Sequence, residues 1–240
     1  MKQVMINQLT PLDYSGEEAL NSICTNLTFA GRNLKKIIVT SNDQSDGKSW
    51  ISIHIATNLA QRGRRILLID ADLRRSFLVQ RYKMTFEENE GLGLAHYLSG
   101  QCSLDDCIYE TNFYGMCLIP AGRDVTNPIS LMDTRYLSAL LDELTQHFDL
   151  VLIDAPPVGM VIDAAEMASC CDGSILVAEH KKTRLRDIAA CKRQMEQSGT
   201  PVLGCVINKV KFDTLSEKRY YNRGYYRNYT RNYGRSDEKK

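Results

Sequence analysis

The stretch that ends in Gly47-Lys48-Ser49 joins a short β-branched run to a helix-compatible segment. Such a unit is typical of a phosphate-binding loop: backbone N–H groups and the helix N-terminus surround the anion, the lysine reaches its terminal phosphates, and the serine hydroxyl contacts Mg²⁺. The full pattern G-x-x-x-x-G-K-[ST] is not met, because Asn42 stands at its first glycine. A bare Gly-Lys-Ser also arises by chance, so the prediction needs support from elsewhere in the chain.

Aspartates supply that support at the ends of two other apolar runs. Residues 66–69 are followed by Asp70 and Asp72, and residues 150–153 are followed by Asp154. Ligands of parallel sheets bind at the carboxyl ends of the strands, so these carboxylates and Lys48 are predicted to face one crevice. Carboxylates there can hold Mg²⁺, and one can orient or deprotonate an attacking hydroxyl. Each aspartate could instead cap the next helix, but the combination favours a magnesium–nucleotide site.

The elements that must position these residues alternate along the chain. Short apolar runs bounded by Gly, Pro, Asp or Asn are typical of strands buried on both faces, and they lie at 37–39, 66–69, 117–119, 151–153, 175–177 and 202–207. Helix-compatible stretches fill 49–62, 130–147 and 184–198, and Gly63 stands where a glycine would end the first of them. The pattern predicts an α/β fold with a mostly parallel central sheet flanked by helices, similar to the P-loop NTPases.

Composition divides the 240 residues into a domain at 1–210 and a C-terminal tail at 211–240. Residues 209–240 hold ten Lys and Arg against four Asp and Glu, whereas the other residues hold twenty against twenty-five. Six of the twelve tyrosines fall in the last 21 residues. The tail has too few aliphatic residues to build a core, so we expect it to be disordered.

Several protein classes are disfavoured by the rest of the composition. No window approaches 18 uncharged apolar residues, and the first twenty residues have no apolar run, so we expect neither a spanning helix nor a secretory leader. The eight cysteines include no CxxC pair, which argues against a zinc site and for reduced thiols in a cytosolic protein. Nucleic acid is disfavoured as a partner because the body is acidic.

In this order the motifs resemble the bacterial tyrosine kinases of capsular and exopolysaccharide biosynthesis, in their separate cytoplasmic form. That family has a modified Walker A loop, a second aspartate motif hhhDxDxR and a Walker B motif hhhDxPP, where h is apolar. In this chain the stretches that resemble these three motifs are Gly47-Lys48-Ser49, residues 66–74 and residues 150–157. The resemblance covers about residues 15–210, and the tyrosine-rich tail is similar to the family's phosphorylation cluster.

The resemblance implies an ATP-dependent protein-tyrosine kinase that uses Mg²⁺ and phosphorylates its own tail. Lys48 would neutralise the β/γ phosphates, Asp72 would activate the tyrosine hydroxyl, and Asp70 would support the metal or the nucleophile. Ser49, Asp70 and Asp154 would form the metal site. The implied nucleotide contacts are Ser45, Asp46, Gly47, Lys48, Ser49, Trp50 and Asn208, and the implied phosphorylation sites are Tyr220, Tyr221, Tyr225, Tyr226, Tyr229 and Tyr233. Asn208 either reads the adenine edge or is a strand-end residue bonded to backbone.

The same resemblance implies partners and a place in the cell. The kinase would be activated by the cytoplasmic segment of a transmembrane adaptor that regulates polysaccharide chain length, and it would be reversed by a cognate tyrosine phosphatase. It would lie in the cytoplasm, peripherally at the inner face of the membrane, and associate with itself. The family closes a ring through Glu-x-x-Arg-x-x-Arg, but here Asn21 and Cys24 replace both arginines after Glu18, so the ring stays an open question.

The phosphate loop departs from the family pattern, which usually has Pro-Gly-Glu or Pro-Gly-Ala where this chain has Gln44-Ser45-Asp46. A positive φ at Ser45 would cost about 1 kcal/mol, and the Asp46 carboxylate would repel phosphates. Trp50 and Ser76 replace a small residue and a proline. One alternative is therefore a weak or inactive kinase-like scaffold. Another is a partitioning or division-site ATPase, but those proteins carry a lysine where this chain has Asp43.

Overall fold

The computed structural model describes residues 2–31, 33–87, 91–123 and 134–211. The chain divides into two units, Met1–Asn208 and Lys209–Lys240. The six tail tyrosines predicted as phosphorylation sites lie outside the described residues. Among the residues described, no helix combines the length and apolarity that a membrane span requires.

Nine strands in the described part of the chain form one sheet, in the order β4-β1-β5-β6-β3-β7-β2-β8-β9. Their bounds are β1 Lys2–Met5, β2 Lys36–Ser41, β3 Ile66–Asp70, β4 Thr85–Phe86, β5 Tyr109–Thr111, β6 Met116–Ile119, β7 Leu150–Asp154, β8 Gly173–Glu179 and β9 Val202–Asn208. All neighbouring pairs are parallel except β1 with β4 and β5 with β6. The fold class predicted from the sequence is confirmed.

The central strands are buried at nearly every position because both faces of the sheet are covered by helices. Successive side chains point to opposite faces: Leu67 and Ile69 pack in one core, whereas Ile66 and Leu68 pack in the other. The described helices are α1 Tyr14–Phe29, α2 Lys48–Gln61, α3 Leu78–Arg81, α4 Leu94–Leu98, α5 Leu104–Cys107, α6 Thr134–His147, α7 Asp163–Ala168 and α8 Leu185–Gln197. Helices α1, α2 and α3 cover the second face, and α4, α6, α7 and α8 cover the first.

The six predicted strands and three predicted helices are all present, and within the described residues their ends differ from the predicted ones by at most two residues. The first four residues of the predicted helix 130–147 lie outside the described residues. Gly63 has a φ of 81°, as a helix-ending glycine requires. Three short strands were not predicted: β1, β4 and β5. They lie together at one side of the sheet, and their short sequences mix apolar with polar or charged residues, so periodicity does not mark them. The eight cysteines are free thiols.

Candidate active site

The order of the strands brings the three sequence motifs to one edge of the sheet. Strand β7 lies between β3 and β2, and its last residue Asp154 is directly opposite Asp70, the last residue of β3. Strand β2 leads into the phosphate loop and α2. The predicted crevice at the carboxyl ends of neighbouring parallel strands is therefore present.

The phosphate loop is shaped by its own side chains. Asp43 caps a single 3₁₀ turn at Gln44–Asp46, and its backbone N–H donates to the Asp46 carboxylate at 2.9 Å. Gly47 follows with a φ of 93° and precedes the first residue of α2. A Cβ at Gly47 would stand 2.1 Å from the Asn208 side-chain nitrogen, so both the backbone conformation and the space require glycine. The loop opens onto the N-terminus of α2, which is the geometry that binds anions.

Lys48 is the buried cation of the site. Its Nζ lies 3.1 Å from Asp72 Oδ2, and both side chains are less than a tenth exposed. Burial disfavours the charge of Lys48, but attraction to Asp154, Asp72 and Asp70 together outweighs it, so the pKa of Lys48 is raised above its ordinary value. Lys48 therefore stays protonated at neutral pH and is available to an anionic ligand.

The two aspartates at the strand ends are both fully buried. Burial, together with repulsion by Asp154 and against a hydrogen bond from the Ser76 hydroxyl, raises the pKa of Asp70 to about 7. Burial also raises the pKa of Asp154, although Lys48 and hydrogen bonds from Ser49 and Ser52 act in the opposite direction. A site that crowds carboxylates in this way is stabilised by any cation that binds between them.

The side-chain oxygen atoms at this edge fit a hydrated magnesium ion. Ser49 and Ser52 donate to Asp154, the Ser52 hydroxyl at 3.2 Å. Within the residues that the structure describes, no group of three or more His, Cys, Asp or Glu side chains could hold a metal ion on its own. Magnesium commonly takes one or two carboxylates and completes its shell with water and phosphate oxygens. The donor set of Ser49, Asp154 and Asp70 suits that mode of binding.

Two departures from the family pattern have less effect than the sequence suggested. Among the described non-glycine residues, positive φ occurs only at Lys83, Lys181 and Lys209, so the cost expected for Ser45 does not arise. The Asp46 carboxylate is buried and accepts hydrogen bonds from the Asp43 N–H and the Thr183 hydroxyl. Asp46 therefore holds the loop together.

The remaining predicted contact residues lie around the loop. Ser45 is exposed at its outer side. Trp50 is partly buried on α2, with its ring centroid 4.3 Å from that of His54. The Asn208 amide donates to the Asp46 carbonyl oxygen at 2.9 Å, which is the backbone-bonded alternative considered for this residue. A role for Asn208 in reading adenine stays a prediction.

Sequence reasoning did not assign a role to several residues that support the site. Ser52 bonds Asp154 and Ser76 bonds Asp70. The guanidinium of Arg74 makes two hydrogen bonds, of 2.6 and 2.9 Å, to the buried Asp163 at the start of α7. Ser76 could have been noticed in the sequence, since it replaces the family's proline. Asp163 lies 89 residues from its partner Arg74, and no local sequence pattern links the two.

Comparison with known proteins decides the family. The chain is 39% identical over 208 residues to the tyrosine-protein kinase CpsD of Streptococcus agalactiae, and the alignment covers 87% of this chain and 90% of that kinase. The chain belongs to the CpsD-like bacterial tyrosine kinases. It is accordingly a protein-tyrosine kinase.

Other matches agree with this assignment. Residues 34–196 of the kinase match the AAA domain. The kinase domain of the Escherichia coli tyrosine kinase ETK superposes with a TM-score of 0.75 at 28% identity, covering 83% of this chain and 79% of that one. The septum site-determining protein MinD of Pyrococcus horikoshii, solved with Mg-ADP, has a TM-score of 0.62 at 24% identity over 72% of this chain and 69% of its own, and shows the shared fold alone. This fold implies that the CpsD-like kinase binds a nucleotide.

Proposed function

We propose that this kinase transfers the terminal phosphoryl group of Mg-ATP to tyrosine hydroxyls in its own C-terminal tail and thereby regulates capsular or exopolysaccharide synthesis and export. As a CpsD-like enzyme it is a capsule-associated tyrosine kinase. The observation that carries the proposal is the meeting of Lys48, Asp72, Asp70 and Asp154 at one edge of the sheet. The proposed targets come from the sequence: Tyr220, Tyr221, Tyr225, Tyr226, Tyr229 and Tyr233.

The ion pair between Lys48 and Asp72 suggests how phosphate binding and proton removal are linked. Lys48 would exchange Asp72 for phosphate oxygens when nucleotide binds, because its ammonium group is charged and Lys48 is the first residue of α2, directly after the phosphate loop. The exchange leaves Asp72 Oδ2 able to accept the hydroxyl proton of a tyrosine. Most of the rate enhancement in phosphoryl transfer comes from positioning and charge neutralisation, which is what a single lysine among carboxylates supplies.

Ser49, Asp70 and Asp154 are the groups that would hold magnesium, directly or through its water. Bound Mg-ATP supplies the phosphoryl group and a cation that neutralises charge on the phosphates. Ser52 keeps Asp154 oriented, and Ser76 keeps Asp70 oriented. A cation held there would favour the ionised form of both carboxylates and so offset the burial that raises their pKa values.

The proposed partners follow the family. The cytoplasmic segment of a transmembrane polysaccharide chain-length adaptor would activate the kinase and hold it at the inner face of the membrane, and a cognate phosphatase would remove the phosphates. The tail of this kinase is basic and the body acidic, and each phosphate adds about −1.5 to −2 charges. Phosphorylation would therefore reverse the attraction between tail and body and favour disassembly of an oligomer. An oligomer that keeps its size after full tail phosphorylation would contradict this.

The first helix limits how the oligomer could form. Cys24, at the second arginine position of the family's ring motif, is fully buried beneath α1. The side-chain oxygen of Asn21, at the first position, accepts hydrogen bonds from Asn58 on α2 and from Arg62, the residue that follows the last turn of α2. These contacts occupy side chains that a ring would need at its interface. Self-association of this kinase is therefore proposed without the ring geometry.

Phosphotyrosine formation by the purified 240-residue chain with Mg-ATP tests the function. It would be measured with and without the adaptor's cytoplasmic segment, for the wild type, Lys48→Met and a truncation after Asp213. Lys192→Met is the matched control, because Lys192 is an exposed lysine on α8 that pairs only with Glu196 among the described residues. Labelling that requires Lys48 and the tail but not Lys192 is expected.

Two other outcomes would point to the alternatives. No labelling of the wild type with adaptor, combined with labelling of Ser45→Gly, would indicate a scaffold whose phosphate loop has lost activity. ATP hydrolysis without any phosphotyrosine would indicate a partitioning-type ATPase. Either result would overturn the proposed autophosphorylation.

A further inference from the structure

The loop between β8 and α8 packs against residues 43–46, the outer half of the phosphate loop. The Thr183 hydroxyl donates to Asp46 Oδ1 at 3.2 Å, and the Glu179 N–H donates to the same hydroxyl at 2.9 Å. One residue earlier, the Lys182 Nζ lies 2.5 Å from the Ser45 hydroxyl. These contacts join two segments that are 137 residues apart in sequence. Lys182 lies outside the three sequence motifs that resemble those of the family.

The charges at this contact are unusual for a phosphate-binding loop. The outer half of the loop carries the carboxylates of Asp43 and Asp46, whereas the cation of the motif, Lys48, is buried on the inner side against Asp72. Lys182 is half exposed and also lies 3.3 Å from Glu179. The hydrogen bond with Glu179, followed by attraction to Glu179, Asp43 and Asp46, raises the pKa of Lys182, so its ammonium group is charged at neutral pH.

We propose that Lys182 is a second phosphate-positioning lysine, supplied to the phosphate loop from the β8–α8 loop. It holds the outer half of the loop through Ser45, and it offsets the partly buried carboxylate of Asp43, which would otherwise repel a nucleotide's phosphates. Its half-exposed ammonium group remains able to contact a polyphosphate at the exposed side of Ser45. This inference rests on the proposed use of Mg-ATP and deepens it, since it names a further residue of the same site.

Equilibrium binding of a non-hydrolysable ATP analogue with Mg²⁺, measured by calorimetry on the full chain, tests the inference. Lys182→Gln is expected to weaken binding about fivefold, the factor that one unit charge a few ångströms away is worth in water-like surroundings. Lys182→Arg keeps the charge and is expected to bind within about twofold of the wild type. Lys192→Gln, on the exposed surface of α8, is the matched control and should leave binding unchanged.

A second pair of measurements separates charge from loop structure. Asp43→Asn keeps a side-chain oxygen that can cap the 3₁₀ turn but removes one carboxylate, so it is expected to restore most of the affinity that Lys182→Gln loses. The wild type should also lose affinity more steeply with added salt than Lys182→Gln does, because salt screens exposed charges. A merely structural role for Lys182 predicts neither result, and the absence of both would overturn the inference.

The outcomes distinguish this inference from the proposed function. If the wild type binds the analogue, Lys48→Met abolishes binding and Lys182→Gln binds as well as the wild type, the role of Lys182 is overturned and nucleotide use stands. If the wild type itself binds no nucleotide, the proposed function fails and the inference fails with it.

Discussion

His54 makes the stability of this kinase depend on pH in a defined window. The side chain is buried on α2 beside Trp50, and its Nε2 has no hydrogen-bond partner among the described residues. Burial lowers the pKa of His54 from its ordinary value of 6.5 to about 4. In the unfolded chain the imidazole regains the ordinary value, so between about pH 6.5 and 4 the unfolded state binds a proton that the folded state does not.

The sign and the size follow from this difference. Because the unfolded state binds more protons in the window, the free energy of unfolding falls as the pH falls from about 6.5 towards 4. A pKa difference of about 2.5 at roughly 1.4 kcal/mol per unit amounts to about 3 kcal/mol when the pH reaches 4. Between pH 7 and pH 5 the loss is about 2 kcal/mol. That is a large share of the total stability of a domain of this size.

Urea unfolding at pH 7, 6 and 5 for the wild type and His54→Leu measures this effect. Leucine fills the buried site without a titrating group, so the wild type should lose about 2 kcal/mol more than the variant between pH 7 and 5. Any packing change shifts the variant equally at every pH and leaves the comparison intact. His147→Gln, at an exposed position of α6, serves as the control and should follow the wild type. Parallel pH profiles for the wild type and His54→Leu would refute the reasoning.

Three further predictions concern the site and the first helix. Gly47→Ala should destabilise the fold by about 1–2 kcal/mol in urea unfolding, because residue 47 has positive φ and its Cβ would displace the Asn208 amide; an unchanged midpoint would contradict this. Arg74→Gln should lower the free energy of unfolding, measured in urea, by more than Asp163→Asn does, since only the former leaves a buried charged carboxylate without its partner. Equal losses of about 1–3 kcal/mol for the two variants would contradict that. Cys24→Arg should cost several kcal/mol and prevent folding, whereas Asn21→Arg, at a half-buried position, should remain folded by circular dichroism.

Much of the architecture could be predicted because local signals were strong. Runs such as residues 66–69 and 151–153 are apolar at every position, and only strands covered on both faces require that. Parallel strands that end in Asp70 and Asp154 then bring those carboxylates together whatever the details of the loops. Strand β1 was not predicted, because four residues of mixed polarity at one side of the sheet carry no periodic signal.

The sequence by itself determined the fold class and the meeting of Lys48, Asp70, Asp72 and Asp154 at one edge of the sheet. These features depend on residues close together in the chain and on the general rule for parallel sheets. Tertiary structure decided that Lys48 pairs with Asp72, that Asp46 holds the phosphate loop through Thr183, and that Lys182 reaches Ser45. The first contact exists because only β7 separates β3 from β2, and the other two exist because β8 lies beside β2; strand order is set by packing of the whole sheet rather than by any local run of residues.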